Sequence, residues 1–345
     1  MADSNCQPSA VAVAAATPSF NRLGAASQPA DVINGIDTVV PAADEIVLVL
    51  LWHLGDVLNA TALLPALAEK HQRKITFATT RACARILENN TCVKRIIAFD
   101  IDLPAKLTFG HFDQVTELIR RHFWGVETVY NLHVPIDLRR VNCHIVECWA
   151  KIVGVTIDVD RLRPSYTPDP PRDPHFVFDE YFVLANGGTS DIKHWHPSKW
   201  AMFVDLMKAK FQRLKLIQLG SSCDPLIDGA IDLRGRTSLA ESYYLLRDAR
   251  GCLSNDSLLS HLSSIAECPT YSIYGTHAPL LVRPLGKGPA VTFAGQLPCS
   301  PCYRDWCMLS VGLTSCLAHA SAEKVFRRIE HDLEHTINTR IEVHA

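Results

Sequence analysis

The sequence predicts an α/β fold made of two Rossmann-like domains that face each other across a cleft. Apolar strand-like runs alternate with amphipathic helical stretches along most of the 345 residues, which is the pattern of parallel βαβ units. A proline-rich stretch interrupts this alternation once, and the alternation then restarts. Ligands in such folds bind at the carboxyl ends of the strands, so we expect the functional residues there.

The predicted N-terminal domain covers residues 45–163 and follows a tail, residues 1–44, that we expect to be disordered. The tail is rich in Ala, Ser, Pro and Asn and shows no sustained hydrophobic period. The elements predicted for this domain are strands at 46–52, 74–80, 95–99 and 126–132 and helices at 57–71 and 81–89.

Residues 164–174 are the predicted linker between the domains, because five prolines within residues 163–174 exclude a helix interior or a central strand. The predicted C-terminal domain covers residues 175–320 and includes a Cys-rich segment at 299–316. A C-terminal helical region, 321–345, ends the chain. The elements predicted here are strands at 181–186, 214–219, 251–255 and 270–274 and helices at 197–210, 238–248, 257–267 and 321–336.

Composition and charge exclude several classes of protein. Lys plus Arg is 34 and Asp plus Glu is 36, so a formal net charge of −2 gives no support to nucleic-acid binding. The first basic residue is Arg22, which does not fit a secretory signal, and no early apolar run is long enough to span a bilayer. Most of the twelve cysteines are scattered in apolar segments and are interpreted as free thiols. We therefore predict a cytoplasmic protein with at most peripheral membrane contact.

The first strand-end signal is Gly55-Asp56, where the strand predicted at 46–52 passes into a helix. A carboxylate at this place can cap the helix N-terminus. It also lies where a cleft opens, and Gly55 allows close approach of another chain or a ligand. The residues alone leave both interpretations open.

A second signal follows the first strand of the C-terminal domain. Gly188 and Thr189 lie in a glycine-rich loop that leads through Lys193 towards a helix. Backbone amides, a hydroxyl and a cation in this order can bind phosphate. The alternative is an ordinary glycine turn with a solvated lysine. Trp195 and Trp200 are interpreted as packing residues.

The third signal is a second strand-end carboxylate, Asp256, with Ser257 beside it and His261 one turn later. Either Asp256 or Ser257 can simply cap the following helix, and His261 can be a buried core histidine. The alternative is a ligand site facing the same cleft as Asp56.

The Cys-rich segment carries Cys299, Cys302, Cys307 and Cys316 within eighteen residues. Four thiolates can hold a structural zinc or iron, although the usual second C-x2-C pair is missing. A cluster of free thiols is the alternative.

Several catalytic motifs are missing from the sequence. It has no GxGxxG after a strand and no GxxxxGK[ST], which disfavours a nicotinamide oxidoreductase and a P-loop enzyme. It also has no GxSxG elbow and no HExxH.

In order and spacing, these stretches resemble glycosyltransferase family 9, the ADP-heptose heptosyltransferases, over about residues 45–335. The family patterns are S-x-x-G-D-[VI] with T-x-P-x-L, then T-x-x-x-K-x-W, L-x-G-x-[TS]-[LS] and [NV]-D-[ST]-G-x-x-H. The matching stretches are WHLGDVLNATALLPAL from Trp52, then Thr189, Lys193 and Trp195, then LRGRTSL at 233–239, then Asn255, Asp256, Ser257 and His261.

The resemblance implies the GT-B fold and an inverting transfer of heptose from ADP-heptose to a hydroxyl of a lipopolysaccharide core sugar or of a protein Ser or Thr. Asp56 would be the general base. The implied donor-binding residues are Gly188, Thr189, Lys193, Asp256, Ser257 and His261. No cofactor is required for catalysis, so a metal at the cysteines would be structural. Homo-oligomerisation stays open.

The sequence departs from the family at three places. Leu258 replaces the glycine of the last pattern, and Trp52-His53 replaces a small hydroxyl residue and its neighbour. The acidic residue expected to bind the ribose is missing from its usual place, and Asp224 is a candidate substitute. Leu258 supports the alternative that the chain is a non-catalytic nucleotide-sugar-binding protein of the same fold.

Overall fold

The chain folds into two parallel β-sheets, each with helices packed on it. A computed structural model describes residues 41–342 except 102–108, 159–162, 172–175, 189, 296, 305–306 and 308–315. Residues 1–40 of the predicted tail therefore lie outside the described residues. Residues 163–171 of the proline-rich stretch contain neither helix nor strand, and the predicted domain boundaries stay a prediction.

The first sheet has four parallel strands in the order β3-β2-β1-β4. Its strands are β1 (Ile46–Val49), β2 (Ile75–Thr80), β3 (Val93–Phe99) and β4 (Thr128–Asn131). Its helices are α1 (Leu54–Ala60), α2 (Leu64–His71), α3 (Arg81–Ala84), α4 (Phe109–His122) and α5 (Ile145–Val153). β1 is buried on both faces, as its unbroken apolar sequence predicts.

The helix predicted at 57–71 is two helices in the structure. A 3-10 turn, Thr61–Leu63, separates α1 from α2. Pro65 occupies the first turn of α2, where a missing N–H costs nothing, but it could not continue an uninterrupted helix. The helix predicted at 81–89 likewise ends at Ala84 and continues only as a 3-10 turn, Arg85–Leu87.

The second sheet has six parallel strands in the order β10-β9-β8-β5-β6-β7. Its strands are β5 (Tyr181–Ala185), β6 (Lys215–Gln218), β7 (Ile231–Asp232), β8 (Cys252–Asn255), β9 (Thr270–Tyr274) and β10 (Ala290–Ala294). Its helices are α6 (Pro197–Lys210), α7 (Leu239–Asp248), α8 (Leu258–Ile265), α9 (Pro279–Val282) and α10 (Ala322–Glu342).

The strand orders show where clefts open. β1 lies between β2 and β4, and β5 lies between β8 and β6, so the direction of winding reverses beside each of these strands. Such reversal points leave a crevice at the carboxyl ends of the strands. The two halves also meet there, because α1 packs against α8, and His144 Nε2 lies 3.0 Å from the carbonyl oxygen of Arg283.

Candidate active site

Asp56 lies just past β1, in the first turn of α1. His53 is the residue that precedes the helix, so Asp56 is not its N-cap. Among the described residues, the Asp56 carboxylate has no hydrogen-bond partner. Burial raises the pKa of Asp56 to about 6, nearby Asp256 adds to the rise, and the charges of His53 and Lys193 oppose it. A carboxyl group with such a pKa can accept a proton near neutral pH.

Gly55 brings the two halves of the chain into contact. A Cβ atom at this position would lie 3.5 Å from Cδ2 of His261 and 3.8 Å from Cα of Leu258, both on α8. These are ordinary van der Waals distances. The close approach that the sequence predicts for Gly55 is therefore made by α8 itself, and Leu258 forms part of this contact.

Lys193 and Asp256 form an ion pair, with 2.9 Å between Lys193 Nζ and Asp256 Oδ2. Lys193 ends a short 3-10 turn after β5, and Asp256 directly follows β8, the neighbouring strand. Burial acts to raise the pKa of Asp256, but the charges of Lys193 and His277 outweigh it and leave the pKa lowered. Asp256 is thus an ionised carboxylate at the reversal point of the second sheet.

His261 lies on α8, almost fully buried, and burial lowers its pKa to about 4. It is therefore a neutral imidazole at physiological pH. Its Nδ1 has no hydrogen-bond partner among the described residues. Ser257 is the residue before α8, and within the described structure its hydroxyl makes no capping hydrogen bond. Both side chains thus keep hydrogen-bonding capacity at the start of α8.

The glycine-rich loop folds over the end of β5. A Cβ atom on Gly188 would lie 3.5 Å from Nε2 of His194, while one on Gly187 would lie only 2.2 Å from an oxygen of Asp224. Asp224 accepts a 2.7 Å hydrogen bond from the backbone N–H of Ser221, so its carboxylate holds its own turn. Thr189, the predicted hydroxyl ligand, lies outside the described residues.

A network of buried amides supports this loop from below. Asn255 Nδ2 donates to the carbonyl oxygen of Asn186 at 2.6 Å, and Gln218 Nε2 donates to Asn186 Oδ1 at 2.9 Å.

Trp195 and Trp200 pack edge to face with 5.3 Å between ring centroids, and both are almost fully buried. The interpretation of the two tryptophans as packing residues is confirmed.

Two further histidines follow strand ends and were not singled out from the sequence. His277 follows β9, and its Nδ1 lies 3.4 Å from Asp256 Oδ2. His133 follows β4 and stacks on Trp52 with 5.5 Å between ring centroids. Both lie just beyond the carboxyl end of a predicted strand, which is the signal that could have found them.

The Cys-rich segment docks beside the end of β9. The backbone N–H groups of Cys302 and Tyr303 both donate to the carbonyl oxygen of Thr276, at 3.1 and 2.9 Å. Cys316 is buried, which raises the pKa of its thiol to about 11, and Cys302 and Cys307 add to the rise. Cys299 is exposed.

The cysteines that the structure describes do not converge on a metal site. In the described part of the chain, no group of three or more His, Cys, Asp or Glu side chains could hold a metal ion. Parts of this segment, residues 305–306 and 308–315, lie outside that part. The zinc or iron site therefore stays a prediction, and no step below depends on a metal.

The family model for glycosyltransferase family 9 (heptosyltransferase) matches residues 153–311, slightly less than half of the chain. This chain is related to glycosyltransferase family 9. Lipopolysaccharide heptosyltransferase 1 of Pseudomonas aeruginosa is 28% identical over 134 residues, which is 37% of this chain and 37% of that protein. The alignment therefore spans well under half of that relative's length.

Solved structures of the family share the fold over most of the chain. The family 9 glycosyltransferase of Veillonella parvula superposes with a TM-score of 0.61 at 17% identity, covering 86% of this chain and 99% of that one. TibC of enterotoxigenic Escherichia coli, a dodecameric iron-containing heptosyltransferase in complex with ADP-D-β-D-heptose, gives 0.62 at 15%, covering 86% and 78%. The predicted GT-B fold is confirmed. No helix in the described ranges is long and apolar enough to cross a membrane.

Proposed function

We propose that this chain is an inverting glycosyltransferase that moves heptose from ADP-heptose to a hydroxyl acceptor. One observation carries the proposal: Asp56 from the first half lies close enough to Lys193 and Asp256 from the second half for their charges to act on its pKa. This proximity supports the proposal that a base and a phosphate-binding cation face one cleft from opposite walls. The similarity to lipopolysaccharide heptosyltransferase 1 supports this sugar and this class of reaction.

On the acceptor side, Asp56 takes the proton of the attacking hydroxyl as the new C1–O bond forms. The bond between C1 and the phosphate oxygen breaks, and its electron pair stays on the diphosphate. Attack from the wall of Asp56 and departure towards the wall of Lys193 place the two oxygens on opposite faces of C1. This arrangement inverts the anomeric centre.

On the donor side, Lys193 offsets the charge that develops on the leaving diphosphate. Its present partner, Asp256, keeps it over the reversal point until a nucleotide enters. The backbone N–H groups at the start of α8 and the hydroxyl of Ser257 offer further donors to phosphate oxygens. His261, neutral and buried, can exchange a hydrogen bond with the sugar. Gly188 and Thr189 complete the proposed donor site.

The acceptor of the proposed reaction is a hydroxyl group of one of two kinds. A core sugar of lipopolysaccharide is supported by the curated relative's name, and a protein Ser or Thr hydroxyl is the alternative. Trp52 is partly exposed just past β1 and stacks on the buried His133, and such an aromatic ring suits the apolar face of a sugar. A cytoplasmic location and homo-oligomerisation also stay predictions.

Calorimetric titration of ADP, UDP, GDP and CDP in metal-free buffer tests the donor. We expect selective ADP binding in the wild type and in Asp56→Asn, with turnover lost only in the variant. Turnover that survives in Asp56→Asn would contradict the assigned base. Nucleotide-sugar binding without turnover in the wild type would favour the non-catalytic alternative, for which Leu258 is the sequence argument.

A further inference from the structure

A pocket of about 330 Å³ opens at the amino end of the second sheet. Its lining includes residues that precede three neighbouring strands: Glu180 before β5, residues 211–214 before β6, and Arg250 before β8. β5 is five residues long, so this end lies about 15 Å from the carboxyl end of the strand, beyond which Lys193 and Asp256 meet. The pocket is therefore separate from the proposed donor site.

The guanidinium group of Arg250 makes no hydrogen bond to the described residues. Only 13% of this side chain is exposed, and its Nη2 is buried without a partner in that part of the chain. Its Nη1 lies 4.0 Å from an oxygen of Glu180, which is too long for a hydrogen bond. A guanidinium group stays charged in proteins, and a buried charge without hydrogen-bonding partners is costly. The pocket therefore favours an anion beside Arg250.

The other charged side chains of the pocket limit the charge of such an anion. Arg213 is exposed and forms no ion pair with the residues that the structure describes. Lys210 is already paired with Glu330 and Glu334 of α10, at 3.0 and 2.7 Å. Two guanidinium charges and the single carboxylate of Glu180 leave a surplus of one positive charge for a ligand. A second negative charge on the ligand would be repelled by the three nearby carboxylates.

Apolar side chains complete the lining. Leu333 is buried, and Phe211 and Leu214 are half-buried. We propose that this pocket binds a small organic carboxylate, whose oxygens accept hydrogen bonds from Arg250 and whose apolar group packs against these three side chains. A guanidinium group and a carboxylate can form two parallel hydrogen bonds, and the volume is at the lower end of the range for small-molecule sites. This site does not depend on the proposed function.

Titration with butyrate, followed by ligand-observed NMR, tests the proposal. Butanol has the chain without the charge, and inorganic phosphate has the charge without the chain, so we expect both to bind at least about tenfold more weakly than butyrate. Arg250→Met keeps the apolar stem but removes the guanidinium group, and it should weaken butyrate binding about tenfold or more. Arg247→Met, the same substitution at a half-exposed, ion-paired position of α7, is the matched control and should bind like the wild type.

Glu180→Gln gives a change of the opposite sign. It removes the carboxylate that competes for Arg250, so butyrate should bind about threefold more tightly, the size expected for one exposed charge pair. This gain tests the site independently of whether Arg250→Met folds. No butyrate binding to the wild type or to Glu180→Gln would overturn the inference, as would equal binding of butanol or tighter binding of phosphate.

Lys193→Met separates this pocket from the proposed donor site, which also attracts anions. We expect its butyrate affinity to equal that of the wild type. Butyrate binding that is lost in Lys193→Met and kept in Arg250→Met would place the carboxylate at the donor site and overturn this inference alone. The proposed function is tested separately by ADP binding and turnover, so the two can fail independently.

Discussion

We expect the ionised carboxylate of Asp56 to lower the free energy of unfolding at neutral pH. Its folded pKa is about 6 and its ordinary value is 3.8. A difference of about 2 pKa units corresponds to about 3 kcal/mol at 1.36 kcal/mol per unit. Asp56→Asn removes the charge and nearly keeps the shape, so the variant should be more stable than the wild type at pH 7.5.

The pH dependence has a defined sign. Above pH 6 the carboxylate is ionised in both the folded and the unfolded chain, and the full penalty applies. Between pH 6 and 3.8 the folded protein holds the proton and the unfolded chain does not, so the penalty shrinks as the pH falls. It is about half at pH 5 and is lost below about pH 4.

Urea unfolding at pH 7.5 and at pH 5 measures this effect. We expect Asp56→Asn to have the higher midpoint at pH 7.5 and a clearly smaller advantage at pH 5. Asp113→Asn, at an exposed carboxylate on α4, should show no pH-dependent difference from the wild type. An advantage of Asp56→Asn that is equal at both pH values, or absent at both, would refute the assignment of a desolvated carboxylate.

Three further predictions concern the donor half. Lys193→Met should weaken ADP binding about tenfold or more by calorimetry, whereas Lys210→Met, which removes an exposed ion-paired lysine of α6, should bind like the wild type. Trp195→Ala should lower the free energy of unfolding by about 3–5 kcal/mol, because the ring is fully buried and its Nε1 donates to the carbonyl of Ala320 at 2.9 Å. Thermal unfolding measures this loss. As a control, Trp124→Ala at an exposed position should change the free energy of unfolding by less than about 0.5 kcal/mol. Elemental analysis of the purified protein tests the zinc or iron prediction: about one metal ion per chain that is lost in Cys302→Ser would support a structural site, and no stoichiometric metal would support free thiols.

Local patterns in the sequence were enough for the elements whose ends carry strong signals. The helix predicted at 197–210 begins at Pro197 and matches α6, and the apolar run at 270–274 matches β9. α4 and α5 were missed, as was β10. His144 is the residue before α5, and its imidazole accepts a hydrogen bond from the backbone N–H of Val146 in place of a usual N-cap side chain. β10 is mostly exposed and lacks a continuous apolar run.

The places of Asp56, Lys193 and Asp256 at strand ends could be predicted because the hydrophobic pattern of neighbouring residues changes where a strand passes into a helix. Their mutual effects could not be predicted, since the atoms that desolvate Asp56 and the basic side chains near Asp256 come from distant parts of the chain. The pairing of His277 with Asp256 depends on β8 and β9 lying side by side. Likewise, the contact of Gly55 with His261 exists only because the two halves meet. Composition and spacing therefore identify the chemical groups of the site, while packing between remote segments sets their charges and their partners.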